Sequence, residues 1–275
     1  MVGTDSVFSI TTDAAPGRPN EDFVVVSPGL AVVVDGAGIP QGGCHHGVAW
    51  YAQQLAAHTM AALVGRADLP LADGLAEALR SVASLHADTC DLDDPGTPCA
   101  AVAILRVDDK HVDALALSDA TVVVETAAGV HVTCDQAIEA ICGSEPDALA
   151  GLRFDTPGHR AALDELVACQ TRSRNQDPGW WVAAADPEAA HHAETMSFPR
   201  ADVRRMAAMS DGATRPVDQM KLYAWPEYLD LLDKLGPAGL ISHVREIESD
   251  DPDGSTHART KRHDDASIAL YRHPA

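Results

Sequence analysis

The stretch Arg18–Gly38, RPNEDFVVVSPGLAVVVDGAG, decides how the fold is read. Two runs of β-branched and apolar residues flank Ser27-Pro28-Gly29, a turn short enough for an antiparallel hairpin. Both runs are continuous rather than alternating, as suits strands covered on both faces in a sandwich or a layered protein. Acids crowd one end only. Asn20-Glu21-Asp22 opens the first run and Asp35-Gly36 closes the second. A hairpin pairs these ends, so three carboxylates meet at one edge of an otherwise apolar element.

Outward from this hairpin, the 275 residues are 46% apolar, enough to bury a full core. SVFSITTDA reads as a strand before it. VAWYAQQLAAHTMAALVG and LADGLAEALRSVASLHADT read as helices after it, the second with Asp73 near its start. The breaker-rich loop DLDDPGTP (91–98) leads into three strands, CAAVAILRVDD, HVDALALSDA and TVVVETAAG. Residues 136–175 read as helical, followed by a strand at GWWVAAADP and another running into Ser210-Asp211-Gly212. One or two helices within WPEYLDLLDKLGPAGLISHVREIESDD, a polar loop and the strand DASIALYRHP complete the chain. Strands and helices are grouped rather than alternating, which predicts an α+β fold with two sheets between helical layers.

The 41 acids and 20 bases give a net charge of −21, and the lysines are Lys110, Lys221, Lys234 and Lys261. Such a surface repels phosphate backbones and anionic lipid, so neither a nucleic-acid nor a membrane partner is expected. No apolar run approaches the roughly 20 residues of a membrane span, and the N-terminus has no signal-peptide pattern. A cytoplasmic protein is expected. Cys44, Cys90, Cys99, Cys134, Cys142 and Cys169 form no C-x-x-C pair and are read as reduced thiols, although Cys90 and Cys99 flank one loop.

Asp22, Asp35, Asp119, Asp211 and Asp264 each fall at or beside the end of a predicted strand. Singly, each is an ordinary turn or cap residue. Gathered together, they would repel one another and take up protons unless divalent cations lay between them. Oxygen-only donors select Mg²⁺ or Mn²⁺ over zinc. Glycines beside Asp35 and Asp211 allow a close approach of backbone or substrate.

In order along the chain, RPNEDFVVV, AVVVDGAG, GTPCAAVAIL, LALSDATVVV, MSDGATR and HDDASIALY resemble the metal-dependent protein phosphatases of the type 2C family, from about residue 8 to residue 272. The resemblance implies a four-layer αββα sandwich, two antiparallel sheets flanked by helices, in a single domain over 1–275. It also implies two Mn²⁺ or Mg²⁺ ions, with a third in many bacterial members. Asp35 matches the bridging aspartate, Gly36 a carbonyl ligand, and Asp211 and Asp264 ligands of the first ion. Glu21 and Asp22 match acids that hold the ions' waters, and Asp119 the site of the third ion. Asp265 stands where the family often has Asn and ranks lower. The implied reaction is attack of an activated water on a phosphomonoester, foremost phosphoserine or phosphothreonine in a protein.

Three departures matter. The family's phosphate-gripping arginine lies four residues before the glutamate, whereas Arg18 lies three before Glu21 and Gly17 fills the fourth position. The usual D-G-x-G-G is DGAGIPQGG, and the middle motif is Ser118-Asp119-Ala120. These keep open a catalytically weak or inactive regulatory or binding module, and the acidic surface does not exclude a phosphatase of a small phosphorylated metabolite.

Other features are assigned blander roles. In CHHG (44–47) no second Cys/His pair supports zinc, so loop or capping residues are expected, with His45 or His46 as a candidate proton donor to the leaving group. DLDDPG is read as a solvated acidic turn, at least one of Trp180 and Trp181 as core, and His191-His192 as helix surface.

Overall fold

The structure, a computed structural model, describes residues 8–38 and 43–272. Residues 1–7 and 273–275 of the expected domain, and 39–42 within DGAGIPQGG, lie outside the described residues. In chain order the elements are β1 (Phe8–Asp13), β2 (Asp22–Ser27), β3 (Leu30–Ala37), α1 (Val48–Leu63), α2 (Leu71–His86), β4 (Cys99–Val107), β5 (His111–Leu117), β6 (Thr121–Thr126) and β7 (Gly129–Thr133). Then follow α3 (Ala137–Cys142), α4 (Glu145–Ala148), α5 (Pro157–Ser173), β8 (Glu194–Pro199), β9 (Val203–Met209), α6 (Asp211–Asp218), α7 (Trp225–Asp250) and β10 (Ala266–Arg272).

The strands form two antiparallel five-stranded sheets, ordered β2-β3-β4-β5-β8 and β1-β10-β9-β6-β7. Strand parity explains how they stack. On β3, Leu30, Val32 and Val34 pack against α1 and α2, while Ala31 and Val33 face the other sheet. On β9 and β10, Met206, Ala208, Ala269 and Tyr271 face inward, and Ala207, Met209, Ile268 and Leu270 pack under α6 and α7. Three apolar layers therefore separate four layers of structure, the expected αββα sandwich. Each fully buried Val or Leu of these layers contributes about 1.5–3 kcal/mol.

The hairpin closes as its sequence predicts. Ser27 pairs with Leu30, leaving Pro28-Gly29 as a two-residue turn in which Gly29 has φ 75°. Its other end sets Asp22 directly opposite Asp35. Both share the parity of the inward-facing residues, so both carboxylates lie on the inner face at the open end of the sandwich. α7 bends at Gly236 (φ 71°), followed by Pro237.

Several expectations need correction. GWWVAAADP is not a strand: it makes only the isolated bridges Arg174–Trp180 and Ala100–Ala183, and its apolar residues pack as coil. β7 and β8 were not expected. Cys142 and Cys169 are joined in a disulfide, because α3 and α5 pack side by side with these Cα atoms 5.8 Å apart. Cys44, Cys90, Cys99 and Cys134 are free thiols. Trp180 is buried, as expected of one of the pair, and Trp181 stacks on His192 at 3.6 Å.

Candidate active site

The acidic residues predicted from sequence converge at one end of the sandwich. Arg18, Glu21, Asp35, Gly36, Asp119, Asp211 and Asp264 line one cleft of about 270 Å³. Asp119 and Asp211 also line an adjoining groove of about 400 Å³ that runs past Glu145 to Lys221 and Trp225. Asp22 lies behind Asp35, buried at 4% exposure.

Each acid is held by a local feature of the chain. Asp211 opens α6, and its backbone N–H donates to Asp35 Oδ2 at 3.2 Å, so the first turn of that helix faces the hairpin. Asp119 sits in the β5–β6 connection after Ser118, whose φ of 63° turns the chain sharply. The Gly36 N–H donates to the Glu21 carbonyl at 3.1 Å, and a Cβ at Gly36 would lie 2.5 Å from that oxygen, so only glycine fits. Asp265 plays a different part. Its carboxylate accepts the N–H groups of Ala15 at 2.6 Å and Glu21 at 2.7 Å, which fixes the approach to β2.

Burial and mutual repulsion drive protons onto this cluster. Burial pushes Asp22 up to about 7, against hydrogen bonds from Ser210 and Ser267 and with added repulsion from Asp211 and Asp265. Burial and the charges of Asp22 and Asp211 raise Asp35 well above the usual range. Asp119 rises to about 6 through burial and the charge of Asp211. Asp211 rises through burial and Asp264. Glu21 is also raised, chiefly by burial.

Asp264 is the exception. Burial works to raise it, but Lys261 and Arg215 prevail and hold it below the usual value. Lys261 Nζ donates to Asp264 Oδ1 at 2.8 Å and Arg215 Nη2 to Asp264 Oδ2 at 2.9 Å. Arg215 is fully buried and also pairs with Glu248 at 2.5 Å. Burial disfavours the Lys261 ammonium, yet Asp264, Asp211 and Asp35 together push it above its ordinary value.

The sequence reading missed three groups here. Arg215 was hidden because its partners Asp264 and Glu248 are distant in sequence, and Lys261, although only three residues before Asp264, because a base at that spacing is also an ordinary surface pair. Glu145, at the start of α4, reaches the cleft from the helical insertion, where burial and Asp211 push it up to about 7. Arg18 stands at the rim, 54% exposed, with Nη2 at 3.9 Å from Glu21 Oε2. His45 and His46 are not among the residues lining the cleft, which leaves no basis for either as a proton donor there.

No family model and no curated protein matches the sequence. Solved structures do match. The serine/threonine phosphatase Stp1 from Staphylococcus aureus superposes with TM-score 0.59 at 12% identity, covering 100% of this chain and 97% of that one. The Mycobacterium tuberculosis serine/threonine phosphatase PstP/Ppp gives 0.55 at 14%, covering 98% and 99%. The catalytic domain of PstP in complex with two manganese ions gives 0.53 at 15%, covering 97% of each. The chain has the type 2C phosphatase fold. In this type 2C framework the acidic cleft lies at the open end of the two sheets. Among the described residues no helix is long and apolar enough to cross a membrane.

Proposed function

We propose that this chain, acting as a single catalytic domain, is a metal-dependent phosphomonoester hydrolase that removes phosphate from phosphoserine or phosphothreonine of proteins. The observation that carries the reading is the convergence of Asp35, Asp119, Asp211 and Asp264 in one cleft with an arginine at its rim. The donor set fits divalent cations. Asp22 Oδ2 is buried with no hydrogen-bond partner, Asp22 and Asp35 face each other across a strand pair, and every candidate donor is a hard oxygen.

Asp35, the Gly36 carbonyl, Asp211 and Asp264 would hold two Mn²⁺ or Mg²⁺ ions, with Glu21 and Asp22 beside them and Asp119 at a third. When bound, such ions lower the pKa of a water and neutralise charge on phosphoryl oxygens. The chain's own residues do the rest. Lys261 and Arg215 favour the ionised form of Asp264 and fix it from two sides. The Asp211 N–H orients Asp35, and Asp265 fixes the backbone of Glu21. Arg18, bound only loosely to Glu21, is free to turn its guanidinium onto the phosphate as a bidentate clamp. The groove continuing to Lys221 and Trp225 leaves room for polypeptide flanking the phosphorylated residue, which favours a protein over a small metabolite.

The test is hydrolysis of an aryl phosphate and a phosphopeptide with Mn²⁺, with and without chelator. Activity should require the metal. Asp35→Ala should lower it at least about 100-fold, more than loss of an outer partner costs, with the circular dichroism spectrum unchanged. Chelator-resistant hydrolysis, or an active Asp35→Ala protein, would overturn the proposal. The reading of an inactive binding module draws on one observation, the Lys261 ammonium set against three of the acids. If Lys261 competes with metal, Lys261→Met should tighten Mn²⁺ binding in calorimetry by about tenfold, equal to about 1.4 kcal/mol. Hydrolysis seen only in that variant would favour the module.

A further inference from the structure

Cys44 and His46 precede α1, and the end of α2 brings His86 and Cys90 against them. The geometry points to a second metal site: we propose that Cys44, His46, His86 and Cys90 bind one structural zinc ion, outside the acidic cleft. The four donor atoms all lie within 4.8 Å of one another. Cys44 Sγ is 3.6 Å from His46 Nδ1, 3.5 Å from His86 Nδ1 and 3.3 Å from Cys90 Sγ, and Cys90 Sγ is 3.3 Å from His46 Nδ1. A zinc tetrahedron with Zn–S of about 2.3 Å and Zn–N of about 2.0–2.1 Å has S···N edges of about 3.6 Å and an S···S edge of about 3.8 Å. The measured edges are close to those values, with the sulfurs slightly drawn in.

The backbone is arranged for this. His86 ends α2, and the Cys90 N–H donates to the His86 carbonyl at 2.9 Å, so the pair sits one helical turn apart on one face. Trp50 stacks on His46 at 4.3 Å and meets His86 edge-on at 5.2 Å, which orients both rings. His86 is buried at 2% exposure. Two thiolates and two imidazoles are a soft donor set that suits zinc and not the hard ions of an oxygen cleft. Four protein ligands leave no open position, so the role is structural. Cys44 and Cys90 are not bonded to each other, whereas Cys142 and Cys169 are.

The site would pin a wall of the cleft. The Asp91 N–H donates to the Gly43 carbonyl at 3.0 Å, beside Cys44. Pro95, further along the same loop, lines the cleft and accepts from Arg174 Nη2 at 2.8 Å.

Protein purified in reductant should carry equimolar zinc by elemental analysis, released by a thiol-modifying mercurial. Cobalt exchange should give the visible bands of tetrahedral cobalt and a thiolate charge-transfer band. Cys90→Ser and His46→Ala should lose both signals. Asp35→Ala should keep them, which separates this site from the cleft. His45 Nδ1, 3.6 Å from Cys90 Sγ, is the nearby imidazole left out, and His45→Ala should retain zinc. Should the ligand variants fail to fold, wild type decides: zinc should protect Cys44 and Cys90 from alkylation until chelator is added. Folded wild type that takes up no zinc, zinc unaffected by Cys90→Ser, or a Cys44–Cys90 disulfide in the native protein would each overturn the assignment.

Discussion

Asp22→Asn should make the metal-free protein more stable, increasingly so as pH rises. Burial pushes Asp22 up to about 7 in the folded protein, from an ordinary value of 3.8. A raised acid holds its proton in the folded state, so its stabilising effect is full below the unfolded value and is lost as pH rises through the folded one. Between those two values, stability falls by about 1.4 kcal/mol per pH unit. Relative to a group that never ionises, Asp22 costs about 2 kcal/mol at pH 5 and about 4 kcal/mol at pH 8. The asparagine keeps the shape and the contacts with Ser210 and Ser267 but carries no charge. Its advantage should therefore grow by about 2–3 kcal/mol between pH 5 and pH 8, or roughly 5–10 °C in Tm. Thermal and urea unfolding in chelator at both pH values measure this. Mn²⁺ at about a hundred times its Kd should return about 2.7 kcal/mol to wild type and less to the variant. An asparagine variant in chelator whose advantage does not increase from pH 5 to pH 8 would refute the electrostatic account of the cluster.

Two further outcomes follow from packing and cross-linking. Helix propensity alone favours Gly212→Ala by about 1 kcal/mol, but a Cβ there would overlap the Asp265 carbonyl. Overpacking should reverse the sign, to a loss of about 2 kcal/mol in urea unfolding, and a stabilised variant would show that the α6–β10 approach is looser than described. Cys169→Ser removes a disulfide closing 27 residues and should cost about 3 kcal/mol, matching reduced wild type. Six titratable thiols in the native protein would disprove the bridge.

The parts of the fold legible in the sequence were those buried on both faces. β3 and β4 are continuous apolar runs because one face meets helices and the other meets a sheet. The missed strands, β7 and β8, are the outer strands of their sheets, and their residues alternate with solvent and lack such a run. GWWVAAADP erred the other way, since an apolar run marks burial and not pairing. The acids of the cleft were legible because each adjoins a strand end in a fixed order. Arg215 and Glu145 reach them through tertiary contacts that leave no spacing to read, and the i,i+3 spacing of Lys261 and Asp264 looks like any surface pair. The Cys/His group shows the same limit: Cys44-x-His46 was visible, but its second pair lies on another helix end, and His86-x₃-Cys90 falls into register only once α1 and α2 pack.

The two proposed metal positions divide labour by donor chemistry. In the cleft the side-chain donors are carboxylates, and burial and mutual repulsion draw Asp22, Asp35, Asp119 and Asp211 towards the protonated form, so occupancy there responds to pH and free metal. Asp264 is held below the usual carboxylate range by Lys261 and by Arg215, whose other partner, Glu248, lies on α7. That gives the cleft one fixed anionic anchor around which titrating ligands can assemble. The sulfur and imidazole group has the opposite character: soft, closed and packed against Trp50. A hard exchangeable ion is poorly held by thiolates, and zinc gains little from a cleft already neutralised in part by Lys261. The hairpin of Asp22 and Asp35 thus lies where one metal chemistry gives way to the other along the chain, with residues 36–43 between Asp35 and Cys44.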